Sequence, residues 1–362
     1  MTELDHRITD VTLAELRSSY PRTVGRNARL GSHGAGGPIT IAVISTDNGR
    51  VGWGLVESGS AAPDELVGRS VAELIDPDRG VIDAAHRWAD IALHDLAAVI
   101  LDVPVWAMLG AAGDRQVEVY DGAIYFDDLD PETDPAGIGV ILDNCRADAE
   151  LGHRHFKIKI GRGNRWLPRE AGDRRDIEVV RAVREAWPDA RILVDANDGY
   201  DLDGFRAFTS AVADCGLYWV EEPFDDDLQN WQALREHLDQ VSPGTLIADG
   251  ESDPDPEQIL TAAGDGAIDV ALMDVMSFGL TRWRELMPRL VATGRQASPH
   301  AWGRPLKTLY AAQLAAGLGN VAIVEGVPGH TEGVDTAAHE FGDGVLTLGE
   351  RPGFGLPLPR LG

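Results

Sequence analysis

Seven ionisable residues recur at a regular spacing along the second half of the chain. Each follows a short apolar run, and successive members are 36, 26, 30, 23, 26 and 25 residues apart. Such an interval accommodates one strand and one helix, whereas scattered surface charges have no reason to keep it. We therefore expect one ring of chemical groups at the carboxyl ends of parallel strands, formed by Lys159, Asp195, Glu221, Glu251, Asp274, His300 and Glu325.

Three carboxylates of this ring, Asp195, Glu221 and Glu251, follow neighbouring predicted strands. Without a cation they would repel one another in a partly buried site. Oxygen ligands of this kind are those that Mg²⁺ prefers. The sequence therefore predicts a Mg²⁺ site, with Glu222 and Asp249 as neighbouring alternatives for a ligand.

Two lysines of the segment His155–Ile160 are predicted to share one face of a strand. Side chains alternate along a strand, so Lys157 and Lys159 lie opposite Phe156, Ile158 and Ile160. The apolar face suits the surrounding helices, and both lysines are expected to point into the barrel.

Asp274 and His300 follow neighbouring predicted strands. An aspartate that accepts a hydrogen bond from one imidazole nitrogen fixes the tautomer of the histidine and raises its basicity. The pair is therefore a candidate general acid or base near neutral pH.

The elements that must position these groups are eight short apolar runs separated by helical stretches, the pattern of βα units that close into a barrel. The predicted strands are Val117–Tyr120, His155–Ile160, Arg191–Asp195, Leu217–Glu221, Thr245–Ala248, Val270–Asp274, Gln296–Ser298 and Ala322–Val324.

The residues before this barrel indicate an α+β unit. Ile39–Ser45 and Val51–Val56 are predicted to form a hairpin, and residues 82–101 have helical spacing. The glycine-rich, basic segment 21–37 is predicted to be a mobile loop that closes over an anionic ligand. Candidate substrate contacts are Arg22, Arg26, Arg29 and His33 in this loop, Asn197 after the third barrel strand, and Trp302 and Arg304 after His300.

The composition excludes several classes of partner. The formal net charge is 32 − 59 = −27, which disfavours nucleic acid and anionic membranes. No apolar run reaches the length of a membrane span, and the first residues lack a signal pattern. Two cysteines without CxxC spacing predict a reducing, cytoplasmic location.

The ordered set of motifs resembles the mandelate racemase subgroup of the enolase superfamily. The motifs that carry the resemblance are Lys157-Ile-Lys159, Val194-Asp-Ala-Asn197, Val220-Glu-Glu-Pro223, Ile247-Ala-Asp-Gly-Glu251, Met273-Asp274, Ser298-Pro-His300 and Val324-Glu325. The resemblance implies an α/β fold, a modified TIM barrel (β/α)7β over 117–328. It also implies an α+β capping domain over 1–116, to which a C-terminal segment over 329–362 returns. A homo-oligomer, either a dimer or an octamer, is implied as well.

The same resemblance implies a role for each ring residue. Asp195, Glu221 and Glu251 would hold Mg²⁺. Lys159 would be the base on one face of the substrate's α-carbon, and the Asp274–His300 pair would act on the other face. Lys157 would stabilise the charge of the substrate carboxylate, and Glu325 would form a hydrogen bond with the enolate oxygen. We also expect Lys157 and the metal to lower the pKa of Lys159 so that it can act as a base.

Several activities remain open for this site. The favoured one is dehydration of a sugar acid, an aldonate or aldarate, to a 2-keto-3-deoxy acid in carbohydrate catabolism. Racemisation or epimerisation is the first alternative, and cycloisomerisation another. A non-catalytic sugar-acid-binding protein is a further alternative, although no ligand or base is missing. A nicotinamide-dependent reductase is disfavoured, because the third glycine of a dinucleotide motif is absent after Gly161-Arg-Gly163.

Overall fold

The computed structural model describes residues 3–56, 61–252 and 254–360. The strands are β1 Ile8–Val24, β2 Gly34–Thr46, β3 Val51–Leu55, β4 Ile75–Asp76, β5 Gly80–Val81, β6 Gln116–Ile124, β7 Phe156–Lys159, β8 Ile192–Asp195, β9 Trp219–Glu221, β10 Leu246–Asp249, β11 Val270–Ala271, β12 Gln296–Ala297, β13 Val324–Gly326, β14 His330–Thr331, β15 Glu340–Gly342 and β16 Val345–Thr347. The α-helices are α1 Asp90–Ile100, α2 Val105–Met108, α3 Ile138–Glu150, α4 Arg162–Arg165, α5 Arg169–Ala186, α6 Leu202–Ala211, α7 Leu228–Val241, α8 Pro256–Gly264, α9 Gly279–Thr293 and α10 Pro305–Leu318. No helix in these ranges is both long and apolar enough to cross a membrane.

Strands β6 to β13 form a closed parallel barrel. Neighbours from β6 to β12 pair in chain order, and β13 pairs with β6 through Val324 and Val119. A bridge between Ala297 and Val321 links β12 to the segment just before β13. Each of the seven connections from β6 to β13 carries at least one helix. This is the predicted (β/α)7β barrel, and all eight predicted strands are confirmed.

The barrel interior explains why the ring residues stand at one level. A buried apolar layer inside the barrel is formed by side chains that precede ring residues by two positions in the sequence, including Leu193, Trp219, Leu272 and Ile323. Because strand side chains alternate with a period of two, the next inward positions after these four residues carry the ring residues Asp195, Glu221, Asp274 and Glu325. The outward side chains of β7, Phe156 and Ile158, join the core between the strands and the helices.

An antiparallel sheet in the order β14-β1-β2-β3 precedes the barrel, and α1 packs against it. Strand β14, which follows the barrel, pairs with β1 through Thr331 and Ser18. The chain after the barrel therefore returns to the N-terminal sheet. The predicted hairpin is present as β2 and β3, whereas the predicted helix over 82–101 is α-helical only from Asp90, after a 3-10 turn at Ala84–Ala89.

The prediction of one loop over 21–37 is wrong in its bounds. Strand β1 continues to Val24 and β2 begins at Gly34, so only residues 25–33 lie between the strands. The glycines permit a close approach here: at Gly36, with φ of 109°, an added Cβ would lie 2.2 Å from the carbonyl oxygen of Ser18. Close backbone packing therefore accounts for part of the glycine content.

Candidate active site

The three predicted metal ligands converge at the mouth of the barrel. Asp195 ends β8, Glu221 ends β9, and Glu251 follows β10. One carboxylate oxygen from each lies within 4.8 Å of the others. The Oε2 atom of Glu251 is buried and accepts no hydrogen bond, which fits an oxygen directed at a cation. An oxygen-only set of this kind fits Mg²⁺.

Lys157 is the buried cation at the centre of these carboxylates. Its Nζ lies 2.6 Å from Glu221 Oε1, 2.8 Å from Glu325 Oε1 and 3.2 Å from Asp195 Oδ2. Burial alone would lower the pKa of Lys157, but Glu221 and Glu325 raise it well above its usual value. Lys157 therefore stays charged and is suited to stabilising an anion.

Lys159 lies next to Lys157 along the same face, as predicted. Its Nζ forms an ion pair with Asp195 Oδ2. The prediction of a lowered pKa for Lys159 is not met by the protein groups alone. Burial and Lys157 do lower this pKa, but the Asp195 carboxylate outweighs them and the net shift is upward.

The predicted pair of Asp274 and His300 is present. His300 Nδ1 lies 2.7 Å from Asp274 Oδ2, while Asp274 Oδ1 accepts hydrogen bonds from the backbone N–H groups of Met276 at 2.8 Å and Ser277 at 3.0 Å. The other imidazole nitrogen, Nε2, lies 3.3 Å from Glu251 Oε2. The aspartate therefore holds one nitrogen, and the second faces the carboxylate cluster.

The pKa values of this pair move in opposite directions. Burial would raise the pKa of Asp274, but its bond with His300 and the charge of Lys307 lower it well below the usual range. Burial would lower the pKa of His300, but the carboxylates of Glu251 and Glu325 raise it. The His300 imidazole, which is readily protonated beside the ionised Asp274, is able to deliver a proton from Nε2.

Glu325 ends the ring as a buried, ionised acceptor. Burial would raise its pKa, yet Lys157 and His300 lower it to about 2. The backbone N–H of Ala301 donates to Glu325 Oε2 over 2.7 Å. The carboxylate is therefore held in one orientation next to the segment that carries His300.

An aromatic wall, formed by Tyr20, His33, Tyr125 and Trp302, stands beside Lys159. The ring centroid of Trp302 lies 5.5 Å from that of Tyr20 and 4.9 Å from that of Tyr125. His33 lies 4.7 Å from Tyr125, and Lys159 Nζ is 5.2 Å from the Tyr125 centroid. The structure thus brings the predicted residues His33 and Trp302 together with two tyrosines that sequence reasoning missed.

The three arginines that were predicted to contact the substrate, of which Arg22 lies in β1, instead bind carboxylates of the same chain. Arg22 makes two contacts of 2.6 Å with the buried Asp148. Arg26 pairs with Asp130 and stacks on Trp166. Arg29 lies 2.8 Å from Asp198 and 2.8 Å from Asp225.

The two other candidate contacts lie at the edges of the site. The buried Asn197 donates its side-chain N–H to Glu222 Oε2 over 3.1 Å, and its backbone N–H donates to Asp195 Oδ1. Arg304 precedes α10. Its charge lowers the pKa of Tyr20, but burial of that tyrosine has the larger effect and the pKa is raised.

Sequence reasoning also missed Lys307 in the first turn of α10. This side chain is 7% exposed, and its Nζ donates hydrogen bonds to Asp274 Oδ2 and, over 2.9 Å, to the carbonyl oxygen of Trp302. No strand periodicity marks the position. A usable signal is that lysine is rare in this chain, since Lys157, Lys159 and Lys307 are its three lysines.

Known proteins resemble both the sequence and the structure. A family model described as enolase C-terminal domain-like matches residues 141–360. A galacturonate dehydratase from Geobacillus sp., solved with D-galacturonate and 5-keto-4-deoxy-D-galacturonate, has a TM-score of 0.89 and 31% identity over 98% of this chain and 94% of that one. D-galactarolactone cycloisomerase of Agrobacterium fabrum is 26% identical over 88% of this chain and 89% of its own. D-xylonate dehydratase of Haloferax volcanii is 26% identical over 77% and 68%.

Proposed function

The chain belongs to the enolase superfamily, within its mandelate racemase subgroup, and from this premise we propose that it dehydrates a sugar acid with the help of Mg²⁺. The observation that carries the proposal is the placement of two proton-transfer groups around one carboxylate cluster. Lys159 forms an ion pair with Asp195 of this cluster, and His300 Nε2 lies 3.3 Å from Oε2 of Glu251. A substrate carboxylate bound at this cluster would have its α-carbon between the two groups.

In the proposed reaction the neutral form of Lys159 takes the proton from the α-carbon. A cation held by Asp195 would offset the carboxylate charge that raises the pKa of Lys159. The electron pair of the C–H bond at the α-carbon then forms a double bond to the β-carbon, whose C–O bond breaks. His300 gives its Nε2 proton to the departing hydroxyl, which leaves as water, and the enol product rearranges to a keto acid. The general acid and the general base each contribute typically a factor of about 10² to 10⁴ in rate.

Charge stabilisation comes from the remaining ring residues. Asp195, Glu221 and Glu251 would hold Mg²⁺, which when bound offsets the negative charge that develops on the substrate carboxylate. Lys157, kept charged by Glu221 and Glu325, would lie beside the same oxygens. Glu325 would interact with the enolate oxygen when that oxygen is protonated.

The aromatic wall supports a sugar acid as the substrate. The ring of Tyr125 lies beside Lys159, and Trp302 packs against both Tyr125 and Tyr20. Aromatic rings at such a position are suited to packing against the C–H groups of a sugar. The arginines of the 25–33 loop and its flanks are engaged with carboxylates of the chain. We therefore extend the proposed substrates from aldonates and aldarates to uronates, the class held by the Geobacillus relative.

A second candidate reaction is racemisation or epimerisation. It is favoured by the same pair of groups, because a base on one face and an acid on the other also suit return of a proton to the α-carbon. The two reactions differ in the fate of the β-hydroxyl, which is kept in racemisation and lost in dehydration.

The test is a search for keto-acid formation. Purified protein with Mg²⁺ is incubated with individual aldonates, aldarates and uronates, and keto acids are trapped as semicarbazones and measured by absorbance. We expect one or a few acids to react, and the Lys159→Ala variant to lose at least about 10³-fold in rate. The variant Arg289→Met, which removes an exposed ion pair with Glu257, is the control and should react like the wild type.

Two outcomes would reject dehydration. Inversion of configuration at the α-carbon without keto-acid formation would favour the racemase. Binding of sugar acids that is unchanged in Lys159→Ala, with no turnover by the wild type, would favour a non-catalytic binding protein.

We further propose a cytoplasmic location and a homo-oligomer, the former in keeping with the buried, unpaired cysteines Cys145 and Cys215.

A further inference from the structure

The distribution of lysine in this chain is uneven. The chain has 32 basic residues, of which three are lysine and 32 − 3 = 29 are arginine. Lys157, Lys159 and Lys307 are 1%, 3% and 7% exposed, and all three contact ring residues. Arginine is therefore the usual basic residue of this chain, and all three lysines lie at the candidate active site. Two of these lysines have roles in the proposed reaction, and the third does not.

The contacts of Lys307 join two parts of the site. Its Nζ donates to Asp274 Oδ2, the same oxygen that lies 2.7 Å from His300 Nδ1. It also donates to the carbonyl oxygen of Trp302 over 2.9 Å. One ammonium group therefore binds Asp274, the partner of the proton donor His300, and the segment that carries Trp302 of the aromatic wall.

The Asp274 carboxylate is consequently bound on both oxygens. Oδ1 accepts from the N–H groups of Met276 and Ser277, and Oδ2 accepts from His300 and Lys307. A carboxylate with donors on both oxygens has little freedom to rotate, and the imidazole that it holds is fixed with it. Removing Lys307 would free one lone pair of Asp274 Oδ2 and leave the partly buried carbonyl oxygen of Trp302 without this donor.

We propose that Lys307 is a positioning residue for the elimination step, which fixes the Asp274–His300 pair and the Trp302 segment relative to each other. The inference rests on the proposed function, because it assigns His300 to protonation of the leaving hydroxyl. It predicts that Lys307 supports the chemistry of His300 and has little part in proton abstraction by Lys159. A residue needed only for folding would affect both steps alike.

The experiment compares Lys307→Met with the wild type, with Mg²⁺ and D-galacturonate in D₂O. Proton NMR follows exchange of the α-hydrogen and formation of the keto acid in one sample. In Lys307→Met we expect kcat for elimination to fall about 10- to 100-fold, while α-hydrogen exchange changes less than about 3-fold. Lys307→Arg keeps the charge in a larger planar group and is expected to lie between the two. Arg289→Met, at an exposed ion pair, is the control.

Equal rates of elimination in Lys307→Met and the wild type would overturn the inference. So would an equal fall of exchange and elimination in both Lys307 variants. Failure of the wild type to act on D-galacturonate concerns the substrate, and the inference is then tested by crystal structures of the Mg²⁺-loaded wild type and Lys307 variants. A shift of about 1 Å in the Asp274–His300 pair or the Trp302 segment is expected, and an unchanged arrangement would contradict the inference.

Discussion

At the scale of single residues, the lysines show how burial and chemistry coincide in this chain. Lys157, Lys159 and Lys307 are 1%, 3% and 7% exposed, although lysine is usually among the most exposed residue types. Each one forms an ion pair with a carboxylate of the ring. The ammonium groups are therefore shielded from bulk reagents and held as hydrogen-bond donors.

This burial predicts an unusual labelling pattern. Acetylation of the folded protein with an amine-reactive ester should leave all three lysines unmodified, because their side chains are buried. The same reaction in denaturant should modify all three, and peptide mass spectrometry distinguishes the two cases. Rapid labelling of any of the three in the folded protein would contradict the burial that the site requires.

The residue scale also separates what the sequence can and cannot reveal. The ring residues were predictable because strand alternation and a regular spacing fix which side chains face the barrel interior. The fate of Arg22 was not, because its partner Asp148 lies 126 residues away along the chain. Whether an arginine is available to bind a ligand depends on such distant carboxylates, which cannot be identified from the residues next to it in the sequence.

At the scale of elements, eight barrel strands were predictable because each is a short apolar run buried on both faces. The hairpin of β2 and β3 followed from its turn, although β2 begins five residues before the predicted Ile39. The extension was hidden by Gly34, Gly36 and Gly37, which indicate a loop by composition but pair with β1 in the structure. Lys307 was missed because it stands on a helix, outside the strand pattern.

The contact between β1 and α3 gives a prediction about stability. Arg22 pairs with Asp148, whose side chain is 0% exposed. In Arg22→Met the carboxylate would remain buried without its cation, at a cost of about 3–5 kcal/mol in the free energy of unfolding. Denaturant unfolding measures this change. The control Arg146→Met breaks the exposed pair with Asp143 and should cost less than about 1 kcal/mol.

An alternative outcome would restore the original prediction for this arginine. If Arg22→Met unfolds like the wild type but binds sugar acids more weakly, Arg22 contacts the substrate and the ion pair with Asp148 is not maintained in solution.

At the scale of the whole molecule, His153 makes folding sensitive to acid. The ring is packed against Phe341 of β15, with centroids 4.8 Å apart, and burial lowers the pKa of His153 from 6.5 to about 4. A lowered pKa means that the unfolded chain takes up the proton first. The stabilisation from neutral His153 is complete above pH 6.5 and is lost as the pH falls towards 4, by about 3 kcal/mol.

The measurement is the free energy of unfolding at pH 7.5 and at pH 4.5. We expect His153→Phe to lose less stability than the wild type between these pH values, because the substituted ring cannot be protonated. His330→Gln, at an exposed histidine, should follow the wild type. An identical pH dependence in all three proteins would show that His153 is not buried as a neutral ring.

Mg²⁺ binding is expected to stabilise the folded molecule as a whole. The three carboxylates converge only in the fold, so the ion should bind the native state in preference to the unfolded chain. At a free Mg²⁺ concentration of a hundred times Kd the gain is about 2.7 kcal/mol, which thermal unfolding detects as a rise in Tm. Glu251→Gln should abolish the rise, while Glu257→Gln, on the exposed surface, should retain it. A Mg²⁺-independent Tm in the wild type would argue against the metal site.

The central claim is that Lys159 removes the α-proton of a sugar acid and that a hydroxyl is then lost. Its most direct test is proton NMR of the reaction in D₂O with Mg²⁺ and an acid that the screen identifies. We predict that the α-hydrogen signal disappears and that the new deoxy carbon carries one solvent deuterium, because the enol is reprotonated from water. A keto acid in which the substrate's own α-hydrogen has moved to the deoxy carbon, with no solvent deuterium there, would contradict the claim.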